Sequence, residues 1–362
     1  MAAGDRVVAI VVTYNRQQML LECLQALGRQ THAPAGVLVV DNASNDGTEE
    51  LVTGGGAAPE LDLSYLRLRR NGGGAEGFHY GVKHALDRDA DWLWLMDDDC
   101  EPLPDCLERL LASGSAADPA TAVVCPTVVS GEDRLLPLNR LVRARRLVRS
   151  PLIPLAPERY EQPEVAIDTA SFVGPLIRSE AARRAGLPLR EVFIRYDDIE
   201  YIDRLGGNGA CGVFNVSAAR IRHKEPIPLV DVSLAGTLRI FFKRRDFASQ
   251  WKHFYGVRNL IFAGRRHGWM SLANALGIGL QNVLLFLVLG ERRARLTYLA
   301  ALYTHDGLRG RFRNVEPSEW AGLASAPSMR GYLRERGLRY ATETDGPPVP
   351  VPAAAGSAAQ RR

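Results

Sequence analysis

Carboxylates carry most of the chemistry legible in this chain. The apolar run Trp92-Leu93-Trp94-Leu95-Met96 ends abruptly in Asp97, Asp98 and Asp99. Three adjacent acids repel one another, so such a cluster is costly unless something offsets it. A divalent cation with oxygen ligands would do so; a solvated acidic turn, helped by Pro102 and Pro104, is the plainer alternative. Asp197, Asp198 and Glu200 form a second acidic group in Tyr196-Asp197-Asp198-Ile199-Glu200-Tyr201. They suit the first turn of a helix, where the dipole favours negative charge, or a general base that takes a proton from an attacking hydroxyl. His223, between Arg222 and Lys224, is either structural or a metal ligand completing the aspartate site, with its basic neighbours placed to neutralise phosphate. Asp41 can accept the imide proton of a uracil or thymine ring on which Tyr14 stacks, although it reads equally well as a helix cap or turn former.

The elements that must position these groups alternate. Val7–Val12 is a β-branched apolar run that reads as a strand buried on both faces, and Thr13-Tyr14-Asn15-Arg16 is its turn. Met19, Leu20, Cys23, Leu24 and Leu27 fall at helical spacing, with Gly28 as a stop. Val37–Val40 is a second strand, ending in the polar turn Asp41–Thr48, after which Glu49–Val52 starts a helix. Leu63–Leu68 and Trp92–Met96 are the third and fourth strands. This β-α-β-α order predicts an α/β fold with a parallel sheet whose ligands sit at the carboxyl ends of the strands. Thr13-Tyr14-Asn15, Asp41 and Asp97–Asp99 then share one sheet edge, which a nucleobase, a ribose and a metal-bound diphosphate could span. Thr121–Val129, Ala170–Ile177 and Gly212–Val216 are expected to complete the sheet. Between them, Arg134, Arg140, Arg143, Arg145, Arg146 and Arg149 suggest either a flexible insertion over the site or a solvated basic loop.

Asn71-Gly72-Gly73-Gly74-Ala75-Glu76-Gly77 formally contains a dinucleotide-binding G-x-G-x-x-G. It follows the third strand and not the first, and the acids at its ribose distance come as a triplet. Asn71 and Gly73 are therefore expected to let the backbone approach a sugar diphosphate.

Composition narrows the class. A hydrophobic fraction of 46% supports a sizeable core, and a net charge of +4 gives no reason to expect nucleic acid. Five scattered cysteines with no C-x-x-C pair point to neither a disulfide framework nor a zinc site. The amino terminus lacks a basic leader and a small-residue cleavage site, which predicts a cytoplasmic protein. From Gly346 the chain is rich in Pro, Ala, Gly and Ser and is expected to be disordered.

Taken together, Val-Val-Thr-Tyr-Asn-Arg, Val-Asp-Asn-Ala-Ser-Asn-Asp-Gly-Thr, the glycine-rich segment, the aspartate triplet and Tyr-Asp-Asp-Ile-Glu-Tyr resemble, in order and over residues 6–226, the family 2 glycosyltransferases. These are inverting enzymes of GT-A fold. The form resembles the galactofuranosyltransferases and rhamnosyltransferases of bacterial cell-envelope assembly. The resemblance implies a nucleotide-diphosphate sugar donor, UDP-galactofuranose or dTDP-rhamnose, and a glycan, polyprenyl-diphosphate-linked or small-molecule acceptor. It implies that Thr13, Tyr14, Asn15 and Asp41 hold the nucleobase side of the donor. Asp97, Asp99 and His223 would bind Mn2+ or Mg2+, and Asp98 would contact ribose or diphosphate. Asp198 would be the base, with Asp197 as its alternative or, with Glu200, a contact for acceptor hydroxyls. A catalytically silent relative that binds a nucleotide sugar or glycan is the alternative from another class.

The sequence divides at Pro226 into a catalytic domain (1–226), a helical region (227–340) and a tail (341–362). Beyond Pro226, Arg239, Lys243, Arg244, Arg245, Lys252 and Arg258 alternate with Phe241, Phe242, Phe247, Trp251, Phe254 and Tyr255, which suggests an amphipathic surface for anionic lipid or a lipid-diphosphate acceptor. Ser271–Gly290, flanked by arginine pairs, just reaches spanning length. Asn274, Gln281 and Asn282 argue against a simple span. A helix dipping into the cytoplasmic leaflet of the inner membrane and a packed or homo-oligomer interface are the other readings.

Overall fold

The computed structural model describes residues 5–54, 56–145, 147, 150–224, 247–288, 292–339 and 349–351. Expectations for Arg146, Arg149, the basic and aromatic residues of 225–246, and most of the tail lie outside them. β1 (Val7–Thr13), β2 (Gly36–Asp41), β3 (Leu63–Arg67) and β4 (Trp92–Asp97) lie in the order β3-β2-β1-β4, and every pairing among them is parallel. Their near-continuous apolar runs follow from cover on both faces. Helix α1 (Gln17–Gly28) packs Leu20, Leu24 and Leu27 with Val7, Ala9 and Val11. Past the short helix α2 (Thr48–Thr53) and strand β3, α3 (Gly73–Leu86) covers the opposite face, setting Phe78 and Val82 with Val8, Ile10 and Val12. The approach is close: a Cβ on Gly77 would lie 2.5 Å from Val12 Cγ1.

The second half of the sheet is mixed. It contains β5 (Cys100–Pro102), β6 (Thr121–Val129), β9 (Glu164–Ala166), β11 (Leu176–Arg178) and β12 (Gly212–His223), in the order β4-β11-β6-β12-β5 with β9 beside β12. β11 runs antiparallel to β4 and β6, and β13 (Val349–Val351) adds antiparallel to β3. Helices α4 (Cys106–Leu111), α5 (Gly114–Ala117), α6 (Ser179–Ala185) and α7 (Asp197–Leu205) fill the connections.

Two expectations are corrected here. The single strand expected over Ala170–Ile177 is two, β10 (Thr169–Ala170) and β11, with Pro175, which has no backbone N–H to donate to a ladder, between them. Nor is the arginine-rich segment merely a loop. Its β7 (Arg140–Arg143) pairs with β8 (Leu152–Pro154) and β10 in a small second sheet. Arg140 is 0% exposed and donates to the carbonyls of Pro126, Asn139 and Val173, so it is a core strut.

The carboxyl-terminal region packs α8 (Trp251–Gly264), α9 (Gly268–Val288) and α10 (Arg293–Arg309), followed by α11 (Trp320–Ser325) and α12 (Met329–Glu335). Phe254 stacks on Trp320 at 5.7 Å between ring centres, with Tyr255, Phe286 and Tyr303 around them. Phe247, Phe254, Tyr255 and Arg258 are buried, Trp251 is half-buried and Lys252 is exposed, so most of the described part of the basic–aromatic stretch is core.

Candidate active site

Parallel pairing sets the site. Thr13 is level with Asp41, and Val12 with Asp97, so the ends of β1, β2 and β4 deliver their polar residues to one edge. Thr13 Oγ1 donates to Asp98 Oδ2 at 2.7 Å, and the Asp98 amide donates to the Val12 carbonyl. Tyr14 stands 42% exposed over this edge, its ring free to stack. Asn15, at φ 52°, has its amide on Ser44 Oγ and accepts the Asn45 amide at Oδ1, tying the first turn to the second.

Asp97 is partly exposed, whereas Asp98 and Asp99 are buried. The three acids have three different surroundings. Desolvation and the charges of Asp99, Asp98, Asp197 and Asp198 hold the Asp97 carboxyl well above the ordinary range. Desolvation lifts Asp98 to about 6. Asp99 is held low despite its burial, by His223 and then Arg16. His223, the last residue of β12, reaches it because β12 pairs with β5, which places His223 opposite Cys100. Its Nε2 lies 3.2 Å from Asp99 Oδ1, while its buried Nδ1 has no hydrogen-bond partner.

Among the described residues no three His, Cys, Asp or Glu side chains form a ready-made metal cage. Mg2+ and similar hard cations are commonly held by one or two carboxylates plus substrate phosphates. The joined Asp99 and His223, the orphaned imidazole nitrogen and the uncompensated charge around Asp97 fit a site of that kind, which a diphosphate would complete.

The second acidic group is electrostatically linked to the first. Asp197 and Asp198 open α7 behind Tyr196, and their charges reach Asp97. Asp197 is 8% exposed and Asp198 more accessible. Burial raises the Asp198 carboxyl to about 6, opposed by backbone N–H groups at Ile199, Asp198 and Phe172. The turn before them is unusual: Phe193, Arg195 and Tyr196 all have left-handed φ, at 71°, 63° and 61°. Non-glycine residues held this way each cost about 1–3 kcal/mol, and persist only where surrounding contacts impose them. The glycine-rich loop supplies one such contact, the Ala75 amide donating to the Phe193 carbonyl at 3.1 Å. Gly73, at φ 79°, has no room for a side chain, since its Cβ would lie 2.1 Å from that carbonyl oxygen. Asn71 Oδ1 accepts the Gly73 amide and shapes the loop.

Two candidate residues have other contacts. Asp41 is 0% exposed and surrounded by protein donors: Ser44 N and Oγ on Oδ1, Tyr65 Oη and Arg67 Nη1 on Oδ2. With both oxygens engaged it acts here as the turn former, and a pyrimidine imide would have to displace one of these donors. Glu200 is 2% exposed and bound to Arg204 and Arg266, which joins α7 to the chain after α8. Its carboxylate therefore serves as a junction between these elements, and a contact with acceptor hydroxyls would share oxygens already paired with two arginines.

Sequence reasoning gave no role to Arg16, whose Nη1 lies 3.1 Å from Asp99 Oδ2 and 3.6 Å from Asp98 Oδ1. Tyr65 and Arg67, which fix Asp41, were equally silent as members of an ordinary strand.

A mixed sheet with parallel strands ending in an acidic edge, helices on both faces and a helical carboxyl-terminal region define a GT-A, nucleotide-diphospho-sugar transferase fold. The crystal structure of GalNAc-T7 with UDP, GalNAc and Mn2+ superposes with TM-score 0.51 at 14% identity, over 74% of this chain and 54% of that one. The chain thus spans about half the length of that solved neighbour, and the likeness is one of fold. The family model for glycosyl transferase family 2 matches residues 8–179. Galactofuranosyltransferase GlfT1 of Mycolicibacterium smegmatis is 36% identical over 213 residues, 58% of this chain and 68% of the relative. GlfT1 of Mycobacterium tuberculosis is 36% identical over 57% of this chain and 66% of its own length. The N-acetylglucosaminyl-diphospho-decaprenol L-rhamnosyltransferase of Mycobacterium tuberculosis is 26% identical over 289 residues, 73% of this chain and 86% of the relative. The chain belongs to glycosyl transferase family 2, as its motifs suggested.

Proposed function

We propose that this protein transfers galactofuranose from UDP-galactofuranose to a hydroxyl of a polyprenyl-diphosphate-linked glycan, with inversion at the anomeric carbon. The observation that carries the reading is the meeting of two acidic groups, Asp97–Asp99 at the end of β4 and Asp197–Asp198 at the start of α7, close enough for their charges to interact. One suits the diphosphate end of a donor and the other the incoming alcohol. The identity to the two GlfT1 proteins supports the donor, and the diphospho-decaprenol in the rhamnosyltransferase's name supports the class of acceptor.

In this mechanism Tyr14 stacks on the uracil, and Thr13, Asn15 and the turn organised by Asp41 form its edge. Asn71 and Gly73 bring backbone close to the diphosphate, and Asp98 meets ribose or diphosphate. Asp97, Asp99 and His223 would hold Mn2+ or Mg2+, which when bound neutralises charge developing on the leaving diphosphate. Asp198 takes the acceptor hydroxyl proton as the oxygen attacks the anomeric carbon. The new C–O bond forms as the bond to the diphosphate breaks on the opposite face, and UDP leaves with that electron pair. Asp197, more enclosed, holds the acceptor side.

A second donor, dTDP-rhamnose, is favoured by the rhamnosyltransferase match, which extends over more of this chain. Under either reading the protein would work in the cytoplasm, at the cytoplasmic face of the inner membrane where a polyprenyl-linked acceptor is presented. The experiment is to incubate it with each nucleotide sugar, Mn2+ and a polyprenyl-diphosphate disaccharide, recording nucleotide release and the anomeric configuration of the product. Galactofuranosyl product of inverted configuration is expected; retention, or turnover of neither donor, would refute the reading.

A further inference from the structure

We infer that Arg258, Asn259 and Asn314, from the carboxyl-terminal helical region, are positioning residues for the reaction, because they hold the Glu191–Tyr196 turn that aims Asp198. The inference rests on the proposed role of Asp198 as base. Asn259 Nδ2 lies 3.1, 3.0 and 2.8 Å from the carbonyl oxygens of Val192, Ile194 and Arg195, its two N–H groups shared among three acceptors. Arg258 Nη2 donates to the same Val192 carbonyl at 3.1 Å, and its Nε fixes Asn259 Oδ1 at 2.8 Å. Arg258 Nη1 donates to Asn314 Oδ1 at 2.7 Å, and Asn314 Nδ2 donates to the Glu191 carbonyl at 2.7 Å. All three side chains are at most 2% exposed.

These contacts go to main-chain oxygens of a turn in an uncommon conformation. Of these carbonyls Arg195's belongs to a left-handed residue and those of Glu191, Val192 and Ile194 lie around left-handed Phe193, and a buried carbonyl without a donor is costly. Donors fixed at these points therefore select this turn over its extended alternatives. Tyr196, the last left-handed residue, immediately precedes α7, so its φ and ψ set where the helix begins and which way Asp197 and Asp198 project. The Ala75 amide grips Phe193 from the opposite side. The turn is thus held between the donor-side glycine loop and α8.

The test compares N259L, which keeps the volume and removes the donors, with Y303F. The latter loses a half-buried hydrogen bond to the Arg313 carbonyl, an oxygen that Arg258 Nη1 also approaches at 3.5 Å, but keeps the Arg258 and Asn259 contacts to the turn. Steady-state kinetics of galactofuranosyl transfer, UDP binding with Mn2+ by calorimetry, and hydrogen exchange of amides 191–199 are measured on each full-length protein. N259L is expected to lower kcat about 10- to 100-fold, since small misplacements of a reacting group cost on that order. Donor KM and UDP affinity should stay within about threefold of wild type, consistent with an effect on orientation and not on donor binding. Exchange at 191–199 should accelerate in N259L alone, and Y303F should keep its kcat. Wild-type kcat in folded N259L, or a loss matched by Y303F, overturns the inference. If N259L does not fold, N314S carries the same test through the Glu191 carbonyl. If the wild-type protein transfers no sugar, the functional reading fails by itself, and unchanged exchange in N259L would separately remove the clamp.

Discussion

Asp198 sits in surroundings that make its charge depend on pH within the working range. Burial penalises the anion and pushes its carboxyl up to about 6, so in its proposed role as base it would be competent only above that pH. The kcat profile is expected to rise through about pH 6 and flatten above it, and D198N should lower kcat by about 10²–10⁴-fold with UDP binding retained. The same shift makes a stability prediction. The folded pKa lies above the ordinary aspartate value of 3.8, so the ionisation penalty is absent below about pH 4 and complete above about pH 6. D198N is therefore expected to raise Tm at pH 7.5 and leave it unchanged at pH 4, measured by calorimetry; an equal change at both would refute the burial account. Asp198 and Asp99 were legible as candidates because ordered motifs contain them, and His223 because the family resemblance reaches it. Arg16 was not, since a charge after a turn carries no sign of which acid it will meet. Asp41 shows the opposite limit: its identity was plain, but its enclosure by Tyr65 and Arg67 arises from pairing with β3, which no local pattern announces.

The elements that matter most are the glycine loop at the start of α3 and the turn before α7. Gly73 combines a left-handed backbone with a carbonyl where its Cβ would be. G73A is expected to destabilise the fold by about 1–3 kcal/mol and to lower kcat, read from denaturant melts and initial rates; full activity and stability would show that the loop relaxes freely. The first four strands could be read from their apolar runs, because burial on both faces is written directly into the sequence, and the helix at Asp197 from the acids that suit its first turn. The antiparallel direction of β11 could not be read this way, since apolar runs encode burial and not polarity. The arginines of β7 looked solvated for a related reason. Arg140 is satisfied by three main-chain carbonyls, and carbonyls leave no trace in a sequence.

For the whole molecule, the outer face of α9 is the conspicuous surface. Asn274 and Asn282 turn inward, Asn282 bonding His253, while Leu280, Leu284, Leu287 and Val288 face outward with Trp269. The helix is long and apolar enough by composition to cross a membrane, yet α8 and α10 pack along its inner side. That inverted amphipathicity, with exposed Arg265 and Arg293 beyond its ends, is the basis for proposing that it rests on anionic lipid. L280E/L284E is expected to abolish co-sedimentation with phosphatidylglycerol vesicles while preserving Tm. Loss of a dimer on a sizing column instead would assign the face to a second copy. The boundary proposed at 226 lies outside the described residues, and Arg258, Asn259, Asn314 and Arg266 from beyond it all bond to residues before it. One consequence concerns recombination between relatives. A chimera joined after His223 would inherit an intact nucleotide-binding edge but a base loop gripped by foreign helices, unless the guanidinium and both amides travelled with it.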